Sequence, residues 1–116
     1  MKTAIYTEIL AFLESYKAEN HQVLAERFDI TGDFLEEIYE MLDFVEDKSQ
    51  LRLFDISEMD KKMSGQPFLD IFEYDDNTDY GIECVLFLGK EHLGYIVGEY
   101  HSEAHFPKFE FRYFSI

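Results

Sequence analysis

The sequence predicts an α+β fold in which N-terminal helices pack on a C-terminal antiparallel sheet. Apolar residues recur at the spacing of an amphipathic helix through the first half, about residues 1–65. They alternate with polar residues through the second half, about residues 67–116, as in strands with one buried face. The chain has 116 residues and no repeat or long linker, so we expect a single α+β domain over residues 1–116.

Three helices are predicted in the first half of the chain. The first covers residues 2–16, where one apolar stripe contains Ile5, Ile9, Phe12, Leu13 and Tyr16. The second is short and covers residues 20–28. The third begins at Asp33, which we interpret as the N-cap because Glu36 follows at the spacing of a capping box. We expect this helix to continue to about Asp47.

The segment between the third helix and the sheet carries weaker patterns. Residues 57–65 fit a further short helix, which Pro67 would stop. Residues 51–56 fit either a strand or a loop, and the sequence leaves both open.

Four strands are predicted after Pro67, over residues 68–74, 80–88, 93–101 and 108–115. Their connections are short, which predicts a meander of antiparallel hairpins. The loops at residues 75–79 and 102–107 then lie at one end of the sheet, and residues 89–92 lie at the other. The helices must cover one face of this sheet, and a cone-like or cystatin-like arrangement would satisfy this requirement.

The acidic charge of the chain limits the partners it can have. Twenty-five Asp and Glu against ten Lys and Arg give a formal net charge of −15. Such a surface repels nucleic acid and anionic membranes, so we expect neither as a partner. A basic protein would be attracted to it. The alternative is that the charge only confers solubility.

The sequence favours a cytoplasmic protein. Cys84 is the single cysteine, so no internal disulfide can form. Glu8 and Glu14 interrupt the N-terminal segment, which therefore lacks the apolar run of a signal peptide. No stretch approaches the roughly 18 apolar residues of a membrane span.

The predicted third helix carries the most informative pattern. Residues 33–47 read DFLEEIYEMLDFVED, with acids on one side, apolar residues on the other and no Lys or Arg. Each pair of acids at i,i+3 or i,i+4 costs about 0.2–0.5 kcal/mol, which favours a surface kept for a basic partner. The predicted contacts are the acids Glu36, Glu40, Asp43 and Asp47 and the border aromatics Tyr39 and Phe44. The alternative is a solvated face, which Lys61, Lys62 or Arg52 from elsewhere in the fold could neutralise.

A second acidic patch is predicted in the first hairpin loop, at Asp75, Asp76 and Asp79. The spacing of Asp75, Asn77 and Asp79 resembles the start of a calcium loop. Tyr80 and Leu86 stand where that loop needs Gly and Glu, so we interpret the segment as an acidic turn.

Catalytic and metal-binding patterns are weak, and we predict a protein that is not an enzyme and holds no metal or cofactor. His101 and His105 bracket Glu103 but fall at a strand end and loop, where a four-residue spacing does not align two ligands. Cys84 lies within a predicted strand, where a thiol is usually buried and inert. The nucleophile-elbow and phosphate-loop patterns do not occur.

The second half of the chain, from GQPFLDIFEYDDNTDYGIECVLF to KFEFRYFSI, resembles the immunity proteins of bacterial toxin systems such as contact-dependent growth inhibition. The resemblance implies a cognate inhibitor that binds a basic, nuclease-type toxin domain. We expect the chain to be a monomer or weak dimer when it is alone. No residue role is transferred from the family, because no position-by-position motif is shared.

Three other functions stay open at this point. One is a cone-like fold that binds a small molecule or acts as an enzyme, with polar groups such as His101 or Glu99 facing inward. Another is a phage-type mimic of nucleic acid that inhibits many DNA-binding proteins. The last is an acidic subunit of a larger housekeeping complex.

Overall fold

The computed structural model describes residues 1–74, 78–102 and 107–116. Three N-terminal helices pack against a curled antiparallel sheet, which confirms the α+β prediction. The helices are α1 (Lys2–Lys17), α2 (His21–Phe28) and α3 (Gly32–Glu40). No helix within these ranges is long and apolar enough to cross a membrane.

The first two helices form as predicted. The apolar stripe of α1 is fully buried at Ile5, Ile9, Phe12, Leu13 and Tyr16. Asn20 caps α2, because its side chain accepts a hydrogen bond from the backbone N–H of Val23 at 3.2 Å. Arg27 of α2 pairs with Glu8 of α1 at 2.9 Å and ties the two helices together at their exposed side.

The predicted bounds of the third helix are wrong at both ends. The N-cap is Thr31, and Asp33 lies in the first turn, where its charge is favourable beside the helix N-terminus. The helix ends at Glu40, seven residues before the predicted Asp47. A longer helix would place more acids at its negative C-terminal end, where α3 already has no basic residue. Asp47 instead caps the 3₁₀ helix Lys48–Gln50 by accepting hydrogen bonds from Ser49.

The predicted short helix at residues 57–65 is also wrong. Asp55 caps a single 3₁₀ turn, Ile56–Glu58, and the chain then forms a small hairpin of β2 (Lys62–Met63) and β3 (Gln66–Pro67). Ser64 and Gly65 both have positive φ angles, 54° and 85°, which a helix cannot accept. The ambiguous segment 51–56 begins as a strand, β1 (Leu51–Arg52).

Within the described residues the main sheet has five antiparallel strands, the predicted meander of four and in addition β1. The others are β4 (Leu69–Glu73), β5 (Asp79–Leu88), β6 (Glu91–His101) and β7 (Lys108–Ser115). β1 and β4 pair with opposite ends of one side of β5, β6 pairs with its other side, and β7 is the outer strand beyond β6.

The two ends of the sheet are arranged as predicted. Ser102, at the end of β6, donates hydrogen bonds to the carbonyl oxygen of Thr78, at the start of β5, through its backbone N–H at 3.0 Å and its hydroxyl at 2.7 Å. The described ends of the two longer loops are therefore side by side. The β5–β6 turn lies at the opposite end, where Gly89 adopts a φ of 61° that suits glycine.

A register shift between β6 and β7 curls the sheet around the helices. Gly98 pairs with Phe111 while Val97 pairs with Tyr113, so Arg112 is an extra residue in β7. A side chain at Gly98 would collide with the backbone oxygen of Glu110 and the ring of Phe109. Glycine therefore permits the close approach of the two strands at the bulge.

The helices cover one face of the sheet. The buried residues form one apolar cluster, and no polar or charged residue is buried in the described parts of the chain. Phe12 of α1 lies between the layers, with its ring 4.5 Å from that of Phe111 and 5.7 Å from that of Phe28. Large aromatic side chains thus hold α1 and α2 against the outer strand.

Candidate functional site

The seven acids between residues 33 and 47 form an exposed surface along and beyond α3. This acidic surface consists of Asp33, Glu36, Glu37, Glu40, Asp43, Glu46 and Asp47, all of which are exposed. Four of them lie on the helix, and the other three follow in the turns after Glu40. The surface therefore bends at Glu40, whereas the sequence predicted a straight stripe.

Two tyrosines fix the orientation of α3 against α1. The hydroxyl of Tyr16 donates to the carbonyl of Ile38 at 3.1 Å, and the hydroxyl of Tyr39 donates to the carbonyl of Tyr16 at 2.9 Å. Their rings stack with centroids 4.6 Å apart. Burial, followed by the charge of Glu19, raises the pKa of Tyr39 to about 12. These bonds and the fully buried Ile38 turn the acids of α3 toward solvent.

The seven acids of the acidic surface form no ion pairs with Lys or Arg in the described parts of the chain. Lys61 pairs with Glu58 at 2.7 Å, and Arg52 donates to the carbonyl of Gly89. Lys62 lies exposed in β2 and pairs with none of the seven. Direct pairing of these three bases with the acidic surface is therefore wrong, while the other part of that alternative, a solvated face, stays open.

Phe44 lies next to the acidic surface and lines a shallow groove. Its side chain is 55% exposed, more than any other phenylalanine in the described parts of the chain. The groove has a volume of about 300 Å³ and is lined by Phe44, Val45, Glu46, Asp47, Gln50 and Leu88. In this groove the turns that follow α3 meet Leu88, the last residue of β5.

The predicted contact residues differ in how accessible their side chains are to a partner. Glu36, Glu40, Asp43 and Phe44 are exposed, as a contact role requires. Asp47 is exposed too, but hydrogen bonds from the Ser49 side chain and backbone lower its pKa and fix its carboxylate as a cap. Tyr39 is only half-exposed and is held in the fold by Tyr16, so it offers a partner little more than a ring edge.

The second predicted patch is not seen as a unit. Asp75 and Asp76 lie outside the described residues. Asp79 belongs to β5 and its carboxylate lies 2.8 Å from Nδ1 of His101 on β6. Asp79 is therefore part of a network on the sheet, described next.

The open face of the sheet carries a chain of ion pairs that the sequence analysis missed. From Asp79 it runs through His101 to Glu110, with His101 Nε2 3.7 Å from Glu110 Oε2. Arg112 Nη2 lies 2.8 Å from Glu99 Oε1 and 2.6 Å from Glu110 Oε2. The contact with Glu110 is an ion pair whose angles do not meet those of a hydrogen bond. The alternation of charge in 108–112 could have revealed it, but only together with the register of β6 and β7.

This network corrects a further expectation. Glu99 and His101 lie on the face opposite to Gly98 and Tyr100, which are buried beneath the helices. Both side chains therefore face away from the core, and the expectation that they point inward into a ligand pocket is wrong. The interior between α1 and β7 is instead filled by rings such as Phe12 and Phe111.

His101 predicts a pH dependence of stability. Burial lowers the pKa of His101, but the hydrogen bond to Asp79 and the charges of Asp79, Glu110 and Glu99 outweigh it, so the pKa lies above its ordinary value of 6.5. A group whose pKa is higher in the folded state stabilises the fold fully below its unfolded pKa, and loses this effect as the pH rises through the folded pKa. We expect the wild type to exceed His101→Gln in stability by more near pH 6 than near about pH 9.

Urea unfolding of both proteins across this pH range measures the difference. Asp79→Asn should reduce the pH dependence, because it removes the partner that raises the pKa. A difference between wild type and His101→Gln that stays constant with pH would contradict the prediction.

The residues considered for metal binding and nucleophilic chemistry are described in part. No group of three or more His, Cys, Asp or Glu side chains is placed to hold a metal within residues 1–74, 78–102 and 107–116. Of the histidine pair considered for zinc, His105 lies outside these ranges, as does Glu103. Cys84 is fully buried, and burial raises its pKa, which leaves the thiol protonated and unreactive.

Comparison with known proteins adds no further assignment to this geometry. The functional proposal therefore stands on the exposed acids, Phe44 and their surroundings. No protein-family model, curated protein or solved structure matches the chain, so the resemblance to immunity proteins stays a prediction.

Proposed function

We propose that the chain is an acidic binding protein of the immunity type, which acts in the cytoplasm and neutralises a basic, nuclease-type toxin domain by direct contact. The observation that carries the proposal is the acidic surface of α3 and the following turns, none of whose seven acids forms an ion pair with a Lys or Arg among the described residues. The resemblance of the second half of the chain to immunity proteins points in the same direction.

The cost of this surface supports a binding role. Acids at positions 33, 36, 37 and 40 repel one another along one helix, and each close pair costs about 0.2–0.5 kcal/mol. Bases elsewhere in the chain do pair, as Arg27 does with Glu8 and Lys108 with Asp29. Lysines on α3 would remove this repulsion, so the arrangement suits a function that requires the unpaired charge.

A nuclease domain is the partner that this charge fits best. Nucleases must hold phosphates and are therefore basic at their substrate surface. An acidic protein can occupy that surface, and opposite charges accelerate the encounter. Exposed aromatic side chains such as Phe44 can then stabilise the complex by burying apolar area.

The test is co-expression with the protein encoded immediately upstream, followed by size-exclusion chromatography and a growth assay. We expect the C-terminal domain of the neighbour to be toxic alone and harmless when this chain is present, and the two to elute as one complex. A harmless neighbour that elutes separately would overturn the proposal.

The same purified protein distinguishes the nucleic-acid mimic. An immunity protein should inhibit its cognate nuclease and leave an unrelated nuclease active. Inhibition of both to a similar degree would favour the mimic instead, because a mimic presents generic negative charge.

A further inference from the structure

The groove beside Phe44 is a surface feature of the described residues that the proposed function leaves without a stated occupant. Phe44, Val45 and Leu88 supply its apolar wall, and Glu46, Asp47 and Gln50 form the rest of its lining. Its volume of about 300 Å³ is large enough for one side chain of leucine or phenylalanine size, since a cavity of about 150 Å³ holds benzene.

The walls of the groove are held by hydrogen bonds on both sides. The backbone N–H of Gly89 donates to the carbonyl of Gln50 at 2.8 Å and fastens the β5–β6 turn to the segment after α3. Asp47 caps the 3₁₀ helix that contains Gln50. Leu88 is paired with Leu51 in the sheet. The groove is therefore formed before any partner arrives, which lowers the cost of binding.

The charges around the groove indicate which kind of chemical group would bind there. Glu46 and Asp47 line the groove and are exposed, and the exposed Asp43 directly precedes Phe44; none of the three forms an ion pair with a Lys or Arg among the described residues. Of the bases in these segments, Lys48 and Arg52 contact backbone: Lys48 Nζ lies 3.5 Å from the carbonyl oxygen of Val45, and Arg52 donates to the carbonyl oxygen of Gly89. An apolar group flanked by positive charge matches this surface, whereas a second copy of this chain, at −15, would be repelled.

We propose that this groove receives an apolar side chain from a basic segment of the partner protein, with flanking Lys or Arg side chains on Asp43, Glu46 and Asp47. This rests on the proposed function and adds to it the position of the anchor and the contact chemistry of the partner. Phe44 contributes its exposed ring to one side of the bound side chain, and Leu88 contributes the other. The flanking charges supply orientation and rate, and the apolar contact supplies most of the lifetime of the complex.

The test uses three pentapeptides as probes and ¹⁵N-labelled protein observed by NMR. The peptides are Arg-Arg-Leu-Arg-Arg, Arg-Arg-Ser-Arg-Arg and Gly-Gly-Leu-Gly-Gly, titrated at low salt. We expect the first peptide to bind about tenfold more tightly than the second. The reason is that burial of a leucine side chain, which serine lacks, raises the affinity by about that factor or more. We expect the neutral peptide to bind more weakly than the first. We also expect the largest chemical-shift changes of the protein amides at residues 44–50 and 88.

Two variants complete the test. Phe44→Ser should abolish the preference for leucine over serine, while Phe72→Ser should retain it, because Phe72 is also exposed, at 41%, but lies on β4. The NMR spectrum of each variant reports directly whether it is folded. Equal binding of the two arginine peptides, shift changes elsewhere on the protein, or an intact preference in Phe44→Ser would each overturn the groove proposal.

These outcomes are separate from those of the co-expression test. A stable toxin complex that forms equally well with Phe44→Ser would leave the immunity function standing and remove only the groove. A harmless neighbour would remove the function, whatever the peptides do.

Discussion

Replacing Phe12 with alanine is expected to lower the free energy of unfolding by about 3–5 kcal/mol. The side chain of Phe12 is fully buried between α1, α2 and β7. Its ring stacks on Phe111 at 4.5 Å and lies 6.1 Å from Phe114 and 5.7 Å from Phe28. Truncation leaves a cavity among rigid rings that cannot close over it, so both the transfer energy and the packing energy are lost.

Phe44→Ala is the matched control, because it makes the same chemical change at a side chain that is 55% exposed. We expect it to change stability by no more than about 0.5 kcal/mol, as is usual for surface positions. Urea unfolding of the two variants and the wild type gives the comparison. Equal losses in Phe12→Ala and Phe44→Ala would contradict the core described here.

The loss of Phe12 should also reach the acidic surface. Phe111 contacts both Phe12 and Phe34 of α3, with ring centroids 4.5 Å and 6.1 Å apart. Loosening Phe111 therefore loosens one of the supports of α3. The core and the candidate site share this ring, so the rigidity of the surface depends on packing beneath it.

The sequence was sufficient wherever one periodic pattern determined the structure. Residues of α1 alternate between buried and exposed with helical period, and no cap, turn or long-range contact competes with that pattern. The same holds for the first half of β7, where Phe109 and Phe111 face the helices, but the bulge at Arg112 then breaks the alternation, so that Tyr113 is exposed and Phe114 is buried. The meander followed from short connections, and the described ends of the loops, at Thr78 and Ser102, are joined as that topology requires.

The sequence was misleading where local hydrogen bonds competed with a periodic pattern. The helical pattern of 33–47 continues past Glu40, but Asp47 serves as the cap of the next turn and the helix stops early. Ser64 adopts a positive φ, which only the hairpin around it explains. Such choices depend on contacts between segments distant in sequence, which single-residue preferences do not contain.

The candidate site divides in the same way. The exposure of Glu36, Glu40 and Asp43 could be predicted, because an unpaired carboxylate avoids burial. The anchoring of Tyr39 could not, because its partner is the carbonyl of Tyr16, on another helix. The groove could not be predicted either, because one of its lining residues, Leu88, belongs to the sheet and is distant in sequence from the others.

Reversing two charges of the acidic surface should separate binding from stability. We expect Glu40→Lys/Asp43→Lys to raise the free energy of unfolding by about 0.5–1 kcal/mol, because it removes close acid pairs and places a base in the last turn of α3. The same change should slow association with the toxin domain about tenfold or more at low salt. A substitution that stabilises the fold and weakens binding indicates a surface kept for a partner.

Stopped-flow association at several salt concentrations, with the toxin domain recovered by co-expression, measures this effect. The control is Glu26→Lys/Glu73→Lys, which changes the net charge equally at exposed acids on α2 and β4. Long-range attraction depends on net charge, so both pairs should slow the encounter somewhat. Only the Glu40/Asp43 pair should slow it strongly and flatten its salt dependence, because charges that come within a Debye length of the partner, about 10 Å at 0.1 M salt, supply most of the attraction that salt weakens. If the two double variants associate at the same rate, the acidic surface is not the interface, and the repulsion within α3 then requires another cause.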